Sequence, residues 1–155
     1  MAGIDEVGRG PLAGPVAVCS FTMRCNFELP IIDGLKLPKL KDSKKLSKKQ
    51  REIWFEYLKK QKVEGNCDYA ISFVSPENID KFGIAKCIQK ALNSSLLSLL
   101  KTSSLEPIYY KLMLDGGLKA PVEYINQETI IEGDELHPVI SMASIVAKVS
   151  RDAIM

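Results

Sequence analysis

The sequence predicts one domain of the α/β class, and three observations carry that reading. Stretches that alternate or run apolar like strands, among them Val16 to Met23, Cys67 to Val74 and Ile108 to Leu114, are interleaved with stretches of helical spacing. At 155 residues the chain is long enough for one core and too short for two. Its hydrophobic fraction of 46% and charged fraction of 26% are ordinary for a globular protein, so composition alone excludes little.

Ile4 closes a first short strand, and Val16 to Met23 reads as a second. A glycine-punctuated loop joins them, so an antiparallel pair is the economical arrangement. Prolines between Asn26 and Lys41 mark a connecting loop. Ser47 stands where an N-cap belongs, and Ile53, Trp54, Tyr57 and Leu58 recur at helical spacing to give a helix to about Gln61. Cys67 to Val74 alternates like a half-buried strand. Ser75 then caps a helical stretch with Pro76 at its first position, and Gly83 interrupts it.

Ile84, Cys87, Ile88, Ala91, Leu92, Leu96 and Leu99 form the apolar stripe of a longer helix to about Lys101. Thr102 to Pro107 is a loop. The strand Ile108 to Leu114 stops at Asp115-Gly116-Gly117, with Tyr109, Lys111, Met113 and Asp115 on one face. Val122 to Asn126 and Thr129 to Glu132 read as short strands, Gly133-Asp134 as a turn, and Pro138 opens a last helix running to the end of the chain. On that helix Val139, Met142, Ala143, Val146, Val149 and Ala153 gather on one side. Ser141, Ser144, Lys148, Arg151 and Asp152 gather on the other, as on a helix with one solvated face.

The net charge of +2 hides an uneven distribution. Between Lys36 and Lys62 lie 11 of the 21 basic residues against three acids, a local positive patch suited to an anionic partner. Cys19, Cys25, Cys67 and Cys87 form no CxxC pair and have no histidine at zinc-finger spacing. Reduced thiols in a cytoplasmic protein are therefore expected, as no secretory apolar region opens the sequence. No run approaches 18 apolar residues, so no transmembrane span is expected.

Three separated elements offer carboxylates where the chain could converge: Asp5 and Glu6 after the first strand, Asp115 after a later one, and Asp152 on the last helix. Successive strand residues point to opposite faces, so Asp5 and Glu6 serve one site only if the strand ends or bends between them. Converging acids repel, which points to a divalent cation, and an all-oxygen donor set favours magnesium or manganese over zinc. Two such ions suit phosphodiester displacement, with the lysine-rich stretch holding phosphates. Plainer roles stand beside these: a charged turn for Asp5 and Glu6, hairpin shaping for Gly8 to Gly10, a turn cap for Asp115, and a solvated surface for Lys44 and Lys45. His137 reads as the residue that opens the last helix, and Tyr109 and Tyr110 as core and sheet edge.

Residues 3 to 16, Gly-Ile-Asp-Glu-Val-Gly-Arg-Gly-Pro-Leu-Ala-Gly-Pro-Val, resemble the opening signature of ribonuclease HII. Asp42-Ser43-Lys44-Lys45-Leu46, Leu114-Asp115-Gly116-Gly117 and the run from Ala143 to Asp152 match that family's later motifs in order. The resemblance implies a single RNase H-like catalytic domain over 1–155, with a central mixed sheet flanked by helices. It further implies a monomeric, cytoplasmic endoribonuclease of DNA replication and repair. Such an enzyme hydrolyses the RNA strand of RNA-DNA hybrids, and single ribonucleotides in duplex DNA, by two-metal-ion catalysis that leaves 3′-hydroxyl and 5′-phosphate ends. On this resemblance Asp5, Glu6, Asp115 and Asp152 bind Mg2+ or Mn2+. Gly8, Arg9 and Gly10 read the ribose 2′-hydroxyl, Ser43, Lys44 and Lys45 hold phosphates, and Ser144 and Lys148 lie near the active face.

Two departures stand out. Family members usually continue past the position of Met155 through a segment carrying a sugar-stacking tyrosine, so a domain lacking the family's C-terminal segment is expected. Gly83 also stands where the family has asparagine. A shortened member that binds hybrids without cutting them, and a nuclease or integrase of the same broad fold, are the alternative readings. The sibling ribonuclease HIII fits less well, because no extra N-terminal domain precedes the first motif.

Overall fold

A computed structural model of the chain describes residues 1–10, 14–24, 37–102 and 111–155. Five strands, β1 (Ala2–Val7), β2 (Val16–Met23), β3 (Cys67–Val74), β4 (Leu112–Asp115) and β5 (Gln127–Ile130), form one sheet in the order β3-β2-β1-β4-β5. β1, β2 and β3 pair antiparallel, while β4 runs parallel to both β1 and β5. The mixed sheet follows from the connections, because a glycine loop can reverse the chain after β1 whereas a parallel return beside β1 needs a long crossover. The helices are α1 (Lys48–Val63), α2 (Pro76–Phe82), α3 (Ile84–Thr102), α4 (Gly133–Leu136) and α5 (Pro138–Asp152).

The two-residue period of the strands sorts the core into two layers. Ile4, Val16, Val18, Leu112 and Leu114 pack against the stripe of α3. Cys19, Phe21 and Met113 lie on the opposite face, against Val139 to Ala147 of α5 and Leu58 of α1. Gly3 lies beneath α5, where a Cβ would come 2.5 Å from the Val139 carbonyl carbon and oxygen. Helix and strand could not approach so closely over a larger residue.

Several local signals act as expected. Ser47 and Gln50 form a reciprocal capping box that starts α1. Pro76 opens α2, and Gly83, at φ +82°, ends it before α3 begins. Elsewhere the structure departs from the expectations. β1 does not end at Ile4; it continues through Asp5 and Glu6 because β2 keeps pairing with it as far as Val7 opposite Ala17. Val122 to Asn126 forms turns, with Val122 90% exposed, and the last strand is Gln127–Ile130, in register with β4. Gly133-Asp134 begins the short helix α4 rather than a simple turn.

The largest departure is α5, whose polar side is solvated only in part: Ser141, Ser144 and Arg151 are buried, while Lys148 and Asp152 are half-buried. The expected loop positions 26–36 and 103–107, Cys25, Tyr109 and Tyr110 lie outside the described residues. No helix among the described residues is long and apolar enough to cross a membrane.

Candidate active site

The register of the two central strands builds the site. β1 and β4 pair in parallel up to Ile4 opposite Leu114, so the next residues along, Asp5 within β1 and Asp115 at the end of β4, lie side by side. Both share the α5 face with Gly3 and Met113. The strand neither ends nor breaks its pairing between Asp5 and Glu6, and Glu6 is joined to the group by its charge on Asp5 and Asp115. Asp5 is only 4% exposed. The Oδ1 of Asp5 accepts the Glu6 N–H at 2.8 Å, and the nearby Ser144 hydroxyl of α5 favours its ionised form. Ser144 Oγ in turn lies 2.7 Å from Ser43 Oγ, so two buried hydroxyls tie the turn after residue 42 to Asp5 through α5. Asp115 Oδ1 accepts the backbone N–H groups of Gly133 at 2.8 Å and Asp134 at 3.4 Å, which anchors α4 beside it.

These acids oppose one another. Burial, then the charges of Glu6 and Asp115, push the Asp5 carboxyl well above the usual carboxylate range against the Ser144 hydroxyl. Burial and Asp115 also raise Glu6, with Arg9 Nη1 at 3.5 Å working the other way. Asp134, buried and absent from the expected site, is pushed up to about 6 by burial, by the neighbouring Asp42 carboxyl and by the charge of Asp115. Lys44 faces this group, with Nζ 3.8 Å from Asp134 Oδ2. Its partial burial is outweighed by Asp134, Asp42, Asp5 and Asp115, which hold its ammonium above the ordinary range.

The donor set suits a hard divalent cation. Glu6 Oε2 is buried with no hydrogen-bond partner among the described residues, an orphaned oxygen beside acids in excess of cations. Asp5, Glu6, Asp115 and Asp134 supply only oxygen, the chemistry of magnesium and manganese. Among the described residues no three acids, histidines or cysteines already stand at metal-holding separation, so binding would draw the carboxylates closer together.

The other expected residues fall into distinct places. The Asp42-Ser43-Lys44-Lys45 turn is a 3-10 turn capped by Asp42, whose Oδ1 accepts the Lys44 N–H at 2.9 Å. Arg51 donates to the carbonyls of Ser43 and Leu46, holding that turn against α1. Ser43 and Ser144 are enclosed, whereas Lys44 and Lys45 reach outward, Lys45 pairing with Glu135. Arg9 and Gly10 are exposed, and among the described residues nothing stands within 4 Å of a Cβ built at Gly10, which leaves room there for a ligand to approach the backbone. Gly8 and Gly14, both at positive φ, leave room for the buried Arg151, whose Nε donates to the Pro15 carbonyl at 2.7 Å.

Asp152 is engaged differently from the other acids. Lys148 Nζ binds its Oδ1 at 2.7 Å, and Arg51 Nη2 lies 3.8 Å from its Oδ2. Asp134 is the acid that joins Asp115 and Lys44 instead. It was missed because a lone acid after glycine carries no pattern, and its burial arises only when α4 folds between β4 and α5. Asp42 left a faint signal as the first residue of an Asp-Ser cap.

A mixed sheet with acids side by side on two adjacent central strands, crossed by a buried helix, defines an RNase H-like protein. The family model for Ribonuclease HII matches residues 2–155, and the chain belongs to that family. It is 41% identical over 155 residues to Ribonuclease HII of Endomicrobium trichonymphae, covering 100% of this chain and 65% of that one. The chain spans 52% to 65% of the length of the first curated relatives it matches. The RNase HII of Archaeoglobus fulgidus, solved in a PCNA:RNase HII complex, superposes with a TM-score of 0.67 at 29% identity, over 98% of this chain and 72% of that one. Bst-RNase HIII, solved in complex with Mn2+, superposes with a TM-score of 0.71 at 19% identity, over 98% of this chain and 51% of that one. At that identity the likeness is one of fold.

Proposed function

We infer that this chain carries the hydrolytic centre of an endoribonuclease that cuts the RNA strand of RNA-DNA hybrids and single ribonucleotides embedded in duplex DNA, leaving 3′-hydroxyl and 5′-phosphate ends. The observation that carries this reading is the mutually repelling group where β1 and β4 run side by side, with its orphaned Glu6 oxygen and Lys44 facing it. Asp5, Glu6 and Asp115 would hold Mg2+ or Mn2+, with Asp134 as the fourth acid. Asp152 would join them only if Lys148 and Arg51 released it. When bound, the ions supply the Lewis acidity that activates water and stabilises the leaving oxygen.

The chain's own groups do the positioning. The Ser43–Ser144 pair aims the Asp5 carboxyl, and Arg51 holds the turn that aims Lys44. Lys44 and Lys45 would take phosphate oxygens in exchange for their acid partners. The Gly8-Arg9-Gly10 backbone would meet the ribose 2′-hydroxyl, the group that separates RNA from DNA.

A second reading, a hybrid-binding member that does not cut, is favoured by the ties on Asp152. One experiment separates the two. Protein and magnesium are incubated with a duplex containing a single ribonucleotide, and cleavage there is expected to fall at least about 100-fold in Asp5→Asn, since loss even of outer-shell partners of a metal site costs 10–100-fold. No cut by the wild type, or an unchanged Asp5→Asn, overturns the nuclease reading. Salt-sensitive binding without product supports the second. Asp134→Asn and Asp152→Asn in the same assay rank the two candidates for the fourth acid.

A further inference from the structure

β3 is the outermost strand of the sheet, and its outer edge pairs with no strand among the described residues. Edge strands left uncovered recruit other chains, so proteins usually guard them. Here the guard covers one half only. Near the start of β3, Lys62 Nζ donates to the Tyr69 carbonyl at 2.7 Å and pairs with Asp68, while the Thr102 hydroxyl donates to Asp68. From Ile71 to Val74 no side chain caps the backbone among the described residues.

The unguarded half borders a groove of about 460 Å³ between β3 and the helices α2 and α3. Val74, Cys87 and Ala91 make a buried apolar floor, and Phe82 of α2, 51% exposed, stands as one wall. Phe73 of β3, 40% exposed, also borders the groove. Lys86 and Lys90, one turn apart on α3, line the groove; no acid lines it, and neither lysine has an ion-pair partner among the described residues. A strand edge flanked by a helix across an apolar trough is the geometry in which an extended peptide adds as a further strand, its alternate side chains entering the trough. Cations on the helical wall select the sign of that peptide.

We propose that the groove beside Ile71–Val74 docks an extended, acidic and apolar peptide segment of a partner protein, which pairs with the outer edge of β3 and sets carboxylates against Lys86 and Lys90. A nucleic acid fits less well, because the trough is concave and apolar rather than a flat stacking platform. A second copy of this chain fits less well too, because β3 itself offers one acid, Asp68, already held by Lys62. The groove lies on the α3 side of the sheet, away from the face that carries Asp5 and Asp115, so the proposal stands or falls independently of the nuclease reading.

The test uses the intact chain and a labelled peptide of alternating Val and Glu. Binding followed by fluorescence anisotropy is expected, with backbone amide shifts in NMR concentrated at Ile71–Val74, Phe82, Lys86 and Lys90. The Lys86→Glu, Lys90→Glu double variant should bind at least about tenfold more weakly, the scale of two reversed surface ion pairs. That variant leaves the acids and Lys44 untouched, so its folding can be checked by an unchanged melting curve. Amide shifts elsewhere, equal binding of a Val and Lys peptide, an unaltered affinity in the double variant, tighter binding of labelled oligo-dT to the same lysines, or self-association through β3 in sedimentation would each overturn the proposal.

Discussion

α3 and α5 look alike in sequence and end in opposite surroundings. Each carries an apolar stripe at helical spacing, and each crosses one face of the same sheet. α3 behaves as its pattern implies: Leu92, Leu96 and Leu99 are buried while Lys86, Lys90 and Ser94 are exposed. α5 buries its stripe from Val139 to Val146 and part of its polar side as well, with Ser141, Ser144 and Arg151 enclosed. The difference lies in what covers the second side. α4, the Asp42–Leu46 turn and the glycine loop after β1 all pack on α5, and its hydroxyls and guanidinium satisfy their polar groups. A polar helix face is therefore solvent-facing only where nothing else folds over it.

The contrast can be broken most severely at Gly3. Gly3→Ala places a Cβ against the Val139 backbone, and α5 must move off β1. Thermal or denaturant melts should show a loss of about 3 kcal/mol, the upper range for overpacking. Parity with wild type would mean that α5 sits farther from the sheet than described. A smaller effect is expected from Ser144→Ala, which leaves the Ser43 hydroxyl and the Asp5 carboxyl short of a partner and should cost about 1–3 kcal/mol. Ser94→Ala on the exposed side of α3 should stay within about 0.5 kcal/mol. Equal losses in the two serine variants would refute the asymmetry between the helices.

The mildest effect is electrostatic. The Asp134 carboxyl is pushed up to about 6 from an ordinary value of 3.8, and Asp5 and Glu6 move the same way. A folded-state value above the unfolded one contributes stability that is complete below the lower value and lost as pH rises through the higher. The cation-free protein should therefore lose a few degrees of Tm through this group between pH 3.8 and about 6. Asp134→Asn should flatten that slope. Added magnesium should raise Tm more at neutral pH than at pH 5, because binding needs the ionised carboxylates. A magnesium effect independent of pH would argue against a carboxylate-bound cation.

Much of the fold was legible because its signals are local. The Ser47 capping box, Pro76 at a helix start, Gly83 between two helices and the alternation of β3 each depend on a few neighbouring residues. Asp5 and Asp115 were legible as candidates because each follows an apolar run beside glycines. The strand expected at 122–126 failed because apolar residues in a tight turn mimic a strand, while Gln127 anchors that turn through its side chain to Ala120, Pro121 and Tyr124.

The sequence by itself determined the strands and helices up to β4 and the last helix, and the acids and glycines available along them. Only the tertiary structure decided which acids meet. Parallel register set Asp5 beside Asp115, α4 carried Asp134 in with them, and Lys148 and Arg51 took hold of Asp152. Burial of part of α5's polar side belongs to the same level. Each outcome depends on residues far apart in the chain, whose mutual distance no local pattern encodes.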